Sequence, residues 1–264
     1  MPEIVPSTGA LGARIEGLDR ATANEPALAA MLNRALAEHL LVVIPGAPMT
    51  PEETRDFARA FGKPQTQLLR YKRSGAVPEV SVMVSTLMAD GTTDKTAIRA
   101  EDWHTDDSYF ATPAKATLLH SIEIPSSGGS TWFCNMHSVY DALPEATKKR
   151  IEGRRAIHGY DTLRARNRPS PRTPQEIAET PDVEHPLVRT HPVTGRKALY
   201  LNPNRLDRIV GLERAESDAL LDELADEARK PQHHFGHVWA VGDIVVWDNR
   251  ATMHRVMIEG DRPV

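Results

Sequence analysis

Short apolar runs that end at glycine or proline constrain the fold of this chain most. Residues 40–44 read Leu-Leu-Val-Val-Ile and stop at Pro45-Gly46, and Ile244 to Trp247 follows a turn at Gly242-Asp243. Short, partly β-branched runs of this kind are typical of buried strands. With 20 prolines and 16 glycines in 264 residues, the chain has many such breaks. Many short strands separated by turns predict a sandwich or barrel.

Helical patterns flank these strands. From Pro26, apolar residues recur on one face as far as Leu36, and Thr50-Pro51-Glu52-Glu53 has the form of a capping box that starts a helix ending near Phe61. Arg214 to Lys230 is the clearest helix. Leu143 to Ile151 is predicted as a further helix and Thr117 to Ile124 as a strand. Arg164 to Glu184 is predicted as an exposed loop or lid. The chain is therefore expected to be α+β, with one domain spanning residues 1–264.

Composition excludes several classes of protein. The net charge of -4 and the sequence pI of about 6.3 argue against a nucleic-acid binder. Cys134 is the only cysteine, so an intramolecular disulfide is impossible. The first residues lack the basic and apolar regions of a signal peptide, and no apolar stretch approaches the roughly 20 residues of a spanning helix. We expect a cytoplasmic protein with no membrane partner.

One histidine has a carboxylate at the spacing of a metal site. Among eleven histidines, only His104 is followed two positions later by an acid, Asp106. Residues i and i+2 of a strand point to the same face, so the pair could grip one ion or could form a surface turn. A third ligand must come from the other ten histidines. His254, which follows an apolar strand, is one candidate; the cluster at 233, 234 and 237 reads as polar positions approaching a strand. Two histidines and one carboxylate suit an iron(II) oxygenase.

Four segments carry a resemblance to a known family. Trp103 to Asp106 resembles the W-H-T/S-D motif of the taurine dioxygenase (TauD/TfdA) family, and Gly128 to Thr131 is similar to its G-G-D/E-T segment. His185 to Pro192 resembles the H-P-V/L-V-R-T-H-P stretch, and Trp247 to His254 resembles W-D-N-R-x-T-x-H. The matches occur in order along nearly the whole chain. Together they are specific, although each alone is not.

The resemblance implies a fold, a reaction and a set of site residues. The fold would be a double-stranded β-helix, a jelly roll with flanking helices. The chain would be an iron(II)- and 2-oxoglutarate-dependent dioxygenase, with O2, a small-molecule substrate, and succinate and CO2 as products. His104, Asp106 and His254 would bind the iron, Thr131 would hydrogen-bond the 2-oxoglutarate carboxylate, and Trp103 would pack beside the metal.

The resemblance breaks down after the last iron ligand. The family's arginine for the far carboxylate of 2-oxoglutarate would fall just past Val264, while Met253 to Pro263 resembles the strand that normally follows this arginine. This pattern predicts a deletion of the intervening segment. Either Arg255 or Arg262 replaces the arginine, or 2-oxoglutarate binding is impaired. We expect Arg255 to be the cosubstrate-binding residue if binding is retained.

Substrate residues are less defined. Family members oxidise taurine, alkyl sulfates, phenoxyalkanoic acids and other small acids. Tyr71 matches a tyrosine of the taurine enzyme, but Leu68 and Ala100 replace its histidine and asparagine, which argues against taurine. Tyr109 could line the pocket or belong to the core. Basic residues beside Tyr71 could attract an anionic substrate or form a solvated loop: Arg70, Lys72 and Arg73.

Two alternatives remain open. A zinc-dependent hydrolase could use the same three ligands, because zinc accepts them and needs one open position for water. A non-catalytic binding protein, a relative that has lost its cosubstrate arm, would explain the missing arginine. The family resemblance also leads us to expect a homo-oligomer.

Overall fold

The computed structural model describes residues 1–70, 73–81, 103–124, 129–165 and 171–256, without the side chains of residues 255 and 256. Six helices and fifteen strands lie within these residues. The helices are α1 (Pro26–His39), α2 (Pro51–Ala58), α3 (Met136–Ala142), α4 (Glu145–Ile151), α5 (Pro174–Ala178) and α6 (Arg214–Ala228). The strands are β1 (Glu3–Pro6), β2 (Ala13–Glu16), β3 (Leu41–Ile44), β4 (Arg73–Ser74), β5 (Val77–Ser81), β6 (Ala116–His120), β7 (Thr131–Asn135), β8 (Arg155–His158), β9 (Val183–Pro186), β10 (Val188–Thr190), β11 (Lys197–Leu199), β12 (Leu206–Ile209), β13 (His234–His237), β14 (Ile244–Asp248) and β15 (Thr252–Val256).

A five-stranded sheet in the order β1-β2-β3-β14-β6 separates two apolar cores. Strand β14 is buried along its whole length, and its side chains alternate between the two cores. Val245 and Trp247 join the larger core, whereas Ile244 and Val246 pack on the side of α1. Burial on both faces explains why the sequence of this strand is a continuous apolar run.

A three-stranded antiparallel sheet in the order β13-β7-β15 packs on the larger core. Phe133 of β7 is fully buried, and its ring centroid lies 5.4 Å from that of Trp247 in the five-stranded sheet. The interior between the two sheets is therefore closed by contacts between large apolar side chains. The three-stranded sheet is antiparallel, and the five-stranded sheet is antiparallel except for the parallel pair β2-β3. Two such packed sheets with flanking helices agree with the α+β jelly roll expected from the sequence.

The two N-terminal helices form as predicted. Helix α1 begins at Pro26 and ends where Leu40 adopts a left-handed backbone conformation with φ of 63°. Helix α2 has a complete capping box, in which Thr50 accepts from the Glu53 amide and Glu53 accepts from the Thr50 amide. A 3-10 turn over Arg59–Phe61 extends it to the predicted end.

Several segments differ from the prediction. The predicted helix Leu143 to Ile151 is preceded by α3, whose first turn is capped by the Asn135 side chain. Strand β6 stops at His120, because the Ser121 hydroxyl and amide turn to the Ala240 and Asp243 carbonyls. The predicted loop 164–184 contains α5, and Arg164 pairs with Asp218 and Asp222 of α6. In the described part of the chain, no helix has the length and apolar character needed to cross a membrane.

Candidate metal centre and active site

His104 and His254 are joined by their backbones. Each amide donates to the carbonyl of the other residue, with N···O distances of 3.0 and 2.9 Å, so the two form an isolated antiparallel bridge. Residues paired in this way are direct cross-strand neighbours with side chains on one face of the sheet. The imidazole centroids lie 4.0 Å apart. Two residues separated by most of the chain are thus brought together by main-chain pairing.

Asp106 completes a group of three possible ligands. Its Oδ1 lies 3.6 Å from His104 Nε2 and 3.7 Å from His254 Nε2, and the candidate ligand atoms all lie within 4.8 Å of one another. His254 is buried, while His104 and Asp106 are partly buried. Among the described residues, this is the group of three histidine, cysteine or acidic side chains arranged to hold a metal ion.

The electrostatics of the site favour the metal-binding forms of Asp106 and His254. Burial opposes the charge of Asp106, but the His254 and His104 rings and the Thr117 hydroxyl hold the pKa of its carboxyl below the usual value. Burial, helped by the His104 charge and opposed by Asp106, lowers the pKa of His254 to about 3. Metal ligation requires ionised carboxylates and neutral imidazoles. Within the described ranges, the buried Nδ1 of His254 has no hydrogen-bond partner. Two imidazoles and one carboxylate fit iron(II) with open positions for other ligands.

A chain of hydrogen bonds orients the Asp106 carboxylate. The Thr117 hydroxyl donates to Asp106 Oδ2 at 2.6 Å, the Asn249 amide donates to Thr117 Oγ1 at 2.8 Å, and the Trp247 indole donates to Asn249 Oδ1 at 3.2 Å. Oδ1 is thereby left as the oxygen nearest to both imidazoles. The sequence prediction missed Thr117. The motif Trp247 to His254 is visible in the sequence, and the register of β14 with β6 could have found Thr117, which lies opposite Trp247.

A buried asparagine holds the segment that carries two of the ligands. Asn202 Nδ2 donates to the Thr105 carbonyl at 2.6 Å and to Ser108 Oγ at 2.8 Å. The Thr105 hydroxyl in turn donates to the Leu201 and Thr252 carbonyls. Local patterns in the sequence do not single out Asn202. Its role in fixing residues 104–108 depends on contacts between residues almost 100 positions apart, which no local pattern reveals.

Thr131, the predicted cosubstrate residue, shares a sheet face with His254. Strand β7 pairs Phe133 with His254 and Thr131 with Val256, and Thr131 lies two residues from Phe133 along the same strand. Thr131 Oγ1 accepts a 2.9 Å hydrogen bond from the Trp239 indole, which can only donate. The hydroxyl hydrogen of Thr131 is therefore available for donation to another acceptor. Sequence reasoning did not single out Trp239.

The other predicted residues have different outcomes. The Tyr109 hydroxyl donates to Asp107 Oδ1 at 3.0 Å, and burial raises the pKa of this phenol well above its usual value. Tyr71 and Arg262 lie outside the described residues. The backbone of Arg255 pairs with Trp132, and its side chain is likewise outside the description. Trp103 is buried, with its ring 4.5 Å from that of His234.

The remaining histidines that were considered take structural positions. His191 Nε2 donates to Asp248 Oδ2 at 3.1 Å in a fully buried pair, and His185 Nε2 lies 3.0 Å from the Phe110 carbonyl oxygen. In the predicted polar cluster, His233 contacts Glu227, His234 contacts the Ala228 carbonyl, and His237 contacts Asp243. All three side chains thus lie against hydrogen-bonding or charged groups at the start and end of β13.

Comparison with known proteins identifies the family. Residues 3–260 match the family model described as Taurine catabolism dioxygenase TauD, TfdA family. The chain belongs to this family. TauD/TfdA-family enzymes are dioxygenases that use iron(II) and 2-oxoglutarate, and membership makes the chain an oxidoreductase of this class.

Curated relatives of this TauD/TfdA-family chain act on small acids and esters. The alpha-ketoglutarate-dependent 2,4-dichlorophenoxyacetate dioxygenase of Burkholderia sp. (strain RASC) is 31% identical over 251 residues, covering 92% of this chain and 84% of the relative. The alpha-ketoglutarate-dependent sulfate ester dioxygenase of Pseudomonas putida is 29% identical over 260 residues, covering 96% and 83%.

A solved structure supports the fold. AAD-2 in complex with Mn(II) and N-oxalylglycine superposes with a TM-score of 0.79 at 30% identity, covering 97% of this chain and 91% of that one. The expected jelly-roll core with flanking helices is thus confirmed.

Proposed function

We propose that this chain is an iron(II)- and 2-oxoglutarate-dependent dioxygenase that hydroxylates an aliphatic C–H bond of a small anionic organic substrate, releasing succinate and CO2. His104, Asp106 and His254 hold the iron. The convergence of these three side chains, with the bridge between the two histidine backbones, is the observation that carries the proposal.

The protein's part in this reaction is to fix and shelter the metal. A bound iron with open positions would supply activation of O2 and oxidative decarboxylation of 2-oxoglutarate. Thr117 sets the orientation of Asp106, and Asn202 holds the ligand segment in place. Trp247 and Phe133 pack near the His254 ring, with ring centroids at 4.5 and 6.2 Å, and keep water from that side. Ligands that are fixed in position and shielded from water need little rearrangement during the reaction, which lowers its barrier.

Thr131 and Arg255 are proposed to bind 2-oxoglutarate. The Thr131 hydroxyl, with its oxygen occupied by the Trp239 indole, is placed to donate to a carboxylate on the same sheet face as His254. A carboxylate is best matched by a bidentate arginine, and Arg255 is the first arginine after His254 in the sequence. Loss of 2-oxoglutarate affinity in Arg255→Ala would support this role, and an unchanged affinity would refute it.

A small acid is the proposed substrate class. The named substrates of the relatives include a phenoxyacetate and sulfate esters. Tyr71 and Tyr109 are proposed to line the substrate pocket, with Tyr109 linked through Asp107 to the segment of the iron ligands. Carboxylates, sulfonates, sulfate esters and phenoxy acids are therefore the first compounds to assay, with O2 as the second small-molecule partner.

Anaerobic titration tests the metal and cosubstrate assignments. Iron(II) followed by 2-oxoglutarate should give a weak visible charge-transfer band, which His104→Ala and Asp106→Ala should abolish. His39→Ala, a histidine at the end of α1, is the matched control and should keep the band. A protein that binds zinc, stays colourless with iron and 2-oxoglutarate, and hydrolyses esters would instead be the zinc-dependent hydrolase.

A relative with impaired 2-oxoglutarate binding is the second candidate, because the motif that ends at His254 overlaps the segment Met253 to Pro263, which resembles the family's final strand, without the arginine segment that normally separates the two. Such a protein would bind iron(II) through the same ligands without forming succinate. Succinate formation with a panel of small acids separates the two candidates. Turnover with any acid would exclude the impaired form.

Assembly, domain count and location follow as separate proposals. We expect a homo-oligomer, which light scattering during gel filtration would measure. A single cooperative unfolding transition is expected for one domain over residues 1–264. Fractionation of the producing cells would test the proposed cytoplasmic location.

A further inference from the structure

Two tyrosines and two arginines form a cluster beside the segment of the proposed iron ligands. This tyrosine–arginine cluster consists of Tyr109, Tyr160, Arg172 and Arg205. It begins close to Asp106, because the Tyr109 hydroxyl donates to the neighbouring Asp107. The Tyr109 and Tyr160 rings then meet edge to face, with centroids 5.0 Å apart and an interplanar angle of 81°.

Arg205 contacts both rings of the cluster. Its Cζ lies 4.4 Å from the Tyr160 centroid and 5.7 Å from the Tyr109 centroid, and its Nη1 donates to the Tyr160 carbonyl. The Arg205 amide donates to the Asn202 carbonyl at 2.9 Å. Since Asn202 also binds Thr105 and Ser108, the loop of Arg205 and the segment of the ligands are fixed to each other.

The two arginines of the cluster have no direct ion-pair partner in the described part of the chain, and Asp161 acts on Arg205 from beyond ion-pair distance. Among the described residues, no carboxylate forms an ion pair with Arg205 or Arg172, whereas Arg164, Arg70 and Arg214 are each paired with two. Arg172 instead stacks over Tyr160, with its Cζ 4.1 Å from the centroid. Burial lowers the pKa of Arg205, a sign that its charge is partly desolvated. A desolvated cation costs free energy until it meets an anion, and four of the five guanidinium N–H groups of Arg205 donate to no described residue.

We propose that Arg205 binds the anionic group of the primary substrate and so determines specificity for an oxyanion carried on a flat aromatic body. The oxyanion is a carboxylate, sulfonate or sulfate that accepts from the guanidinium, and the aromatic body packs against the partly buried Tyr109. Tyr160, which is buried under the two guanidiniums, fixes their positions. Stacking of the guanidinium on tyrosine holds its plane ready for a planar, bidentate partner. The inference rests on the proposed function, since it places the substrate of that same site.

Binding to the Mn(II)-loaded protein with 2-oxoglutarate tests this role. The probes are phenoxyacetate, benzenesulfonate and phenyl sulfate, with uncharged 2-phenoxyethanol as the neutral comparison. Arg205→Gln should lower the affinity for the anionic probe that binds best by about 10- to 100-fold, the range expected for the loss of a charged hydrogen bond. The affinity for 2-phenoxyethanol should stay unchanged. Arg208→Gln, which removes a half-exposed charge from the same region of β12, is the matched control and should bind like the parent protein.

The outcomes separate a binding role from a packing role. Arg205→Lys keeps the charge and should retain part of the affinity for the anionic probe. This variant tests the role of the charge even if Arg205→Gln folds poorly. In turnover, Arg205→Gln should raise KM for the acid more than it lowers kcat. Equal losses for charged and neutral probes, or no binding of any anionic probe by the parent protein, would overturn the inference. The iron(II)–2-oxoglutarate band, which needs no substrate, reports separately on the proposed function.

Discussion

The Thr117 hydroxyl donates a 2.6 Å hydrogen bond to Asp106 Oδ2, and this contact decides which carboxylate oxygen faces the two imidazoles. Thr117→Val keeps the shape of the side chain and removes the donor. Hydrogen bonds that orient a metal ligand typically contribute 10- to 100-fold in metal affinity, so we expect a loss of about this size for Mn(II) or Co(II) by calorimetry.

The control for this change is Thr190→Val, at an exposed position of β10. This variant removes a threonine hydroxyl that has no contact with the site, and it should leave the metal affinity unchanged. If Thr117→Val binds metal as tightly as the parent protein, the hydrogen-bond chain from Trp247 does not position Asp106.

Metal should stabilise the fold through His254. A ligand that binds only the folded state adds about 2.7 kcal/mol at one hundred times its Kd, which raises the melting temperature. His254→Ala removes a ligand on β15, so the rise in melting temperature with added Mn(II) should disappear. His39→Ala should keep the full rise, and a metal-dependent shift that persists in His254→Ala would rule out this ligand.

Asn202→Ala should weaken both the fold and the metal site. The change deprives the Thr105 carbonyl and the buried Ser108 hydroxyl of a donor, a cost of about 1–3 kcal/mol in the free energy of unfolding. Denaturant unfolding of the apo-protein measures this cost, and metal affinity should fall as well because residues 104–108 lose their anchor. Asn24→Ala removes an exposed hydrogen bond and should have a much smaller effect. An intact metal affinity in Asn202→Ala would contradict the anchoring role.

His158 should make the fold less stable in acid. The residue is fully buried against Tyr200, and burial, followed by the His185 charge, lowers its pKa from 6.5 to about 3. Between these values the unfolded chain binds a proton that the folded chain does not, so stability falls as the pH drops below 6.5 and is unaffected above it. The slope from one such group is at most about 1.4 kcal/mol per pH unit.

Replacing this imidazole should flatten that dependence. His158→Leu, measured by denaturant unfolding from pH 7 to pH 4, should lose less stability over the range than the parent protein. His39→Leu serves as the comparison. Parallel curves for His158→Leu and the parent protein would show that His158 does not contribute.

Local patterns predicted the elements whose signals are local. The capping box at Thr50, the apolar face of α1 and the run at Ile244 each depend on neighbouring residues, and each forms as expected. The His104-x-Asp106 pair was visible for the same reason. Helix α3 was missed, because its start depends on the side chain of Asn135 at the end of a strand rather than on an apolar period.

The supporting residues of the site could not be predicted in the same way. Thr117 is bound to Asp106 across 11 residues, Asn202 to Thr105 across 97, and Trp239 to Thr131 across 108. Threonine is common in strands and asparagine is common before proline in turns, so neither residue indicates a functional role by its local sequence. Only the strand pairing shows which of them meet the proposed ligands.

Because His104 and His254 are joined through their backbones, substitutions and insertions near position 254 should affect the metal site differently. Main-chain atoms hold the two imidazoles side by side, so substitutions at Arg250, in the turn between β14 and β15, keep the register of the bridge. An insertion or deletion of one residue before position 254 would turn the second imidazole to the outer face of its sheet. For the register of this bridge, the length of the turn matters more than its composition.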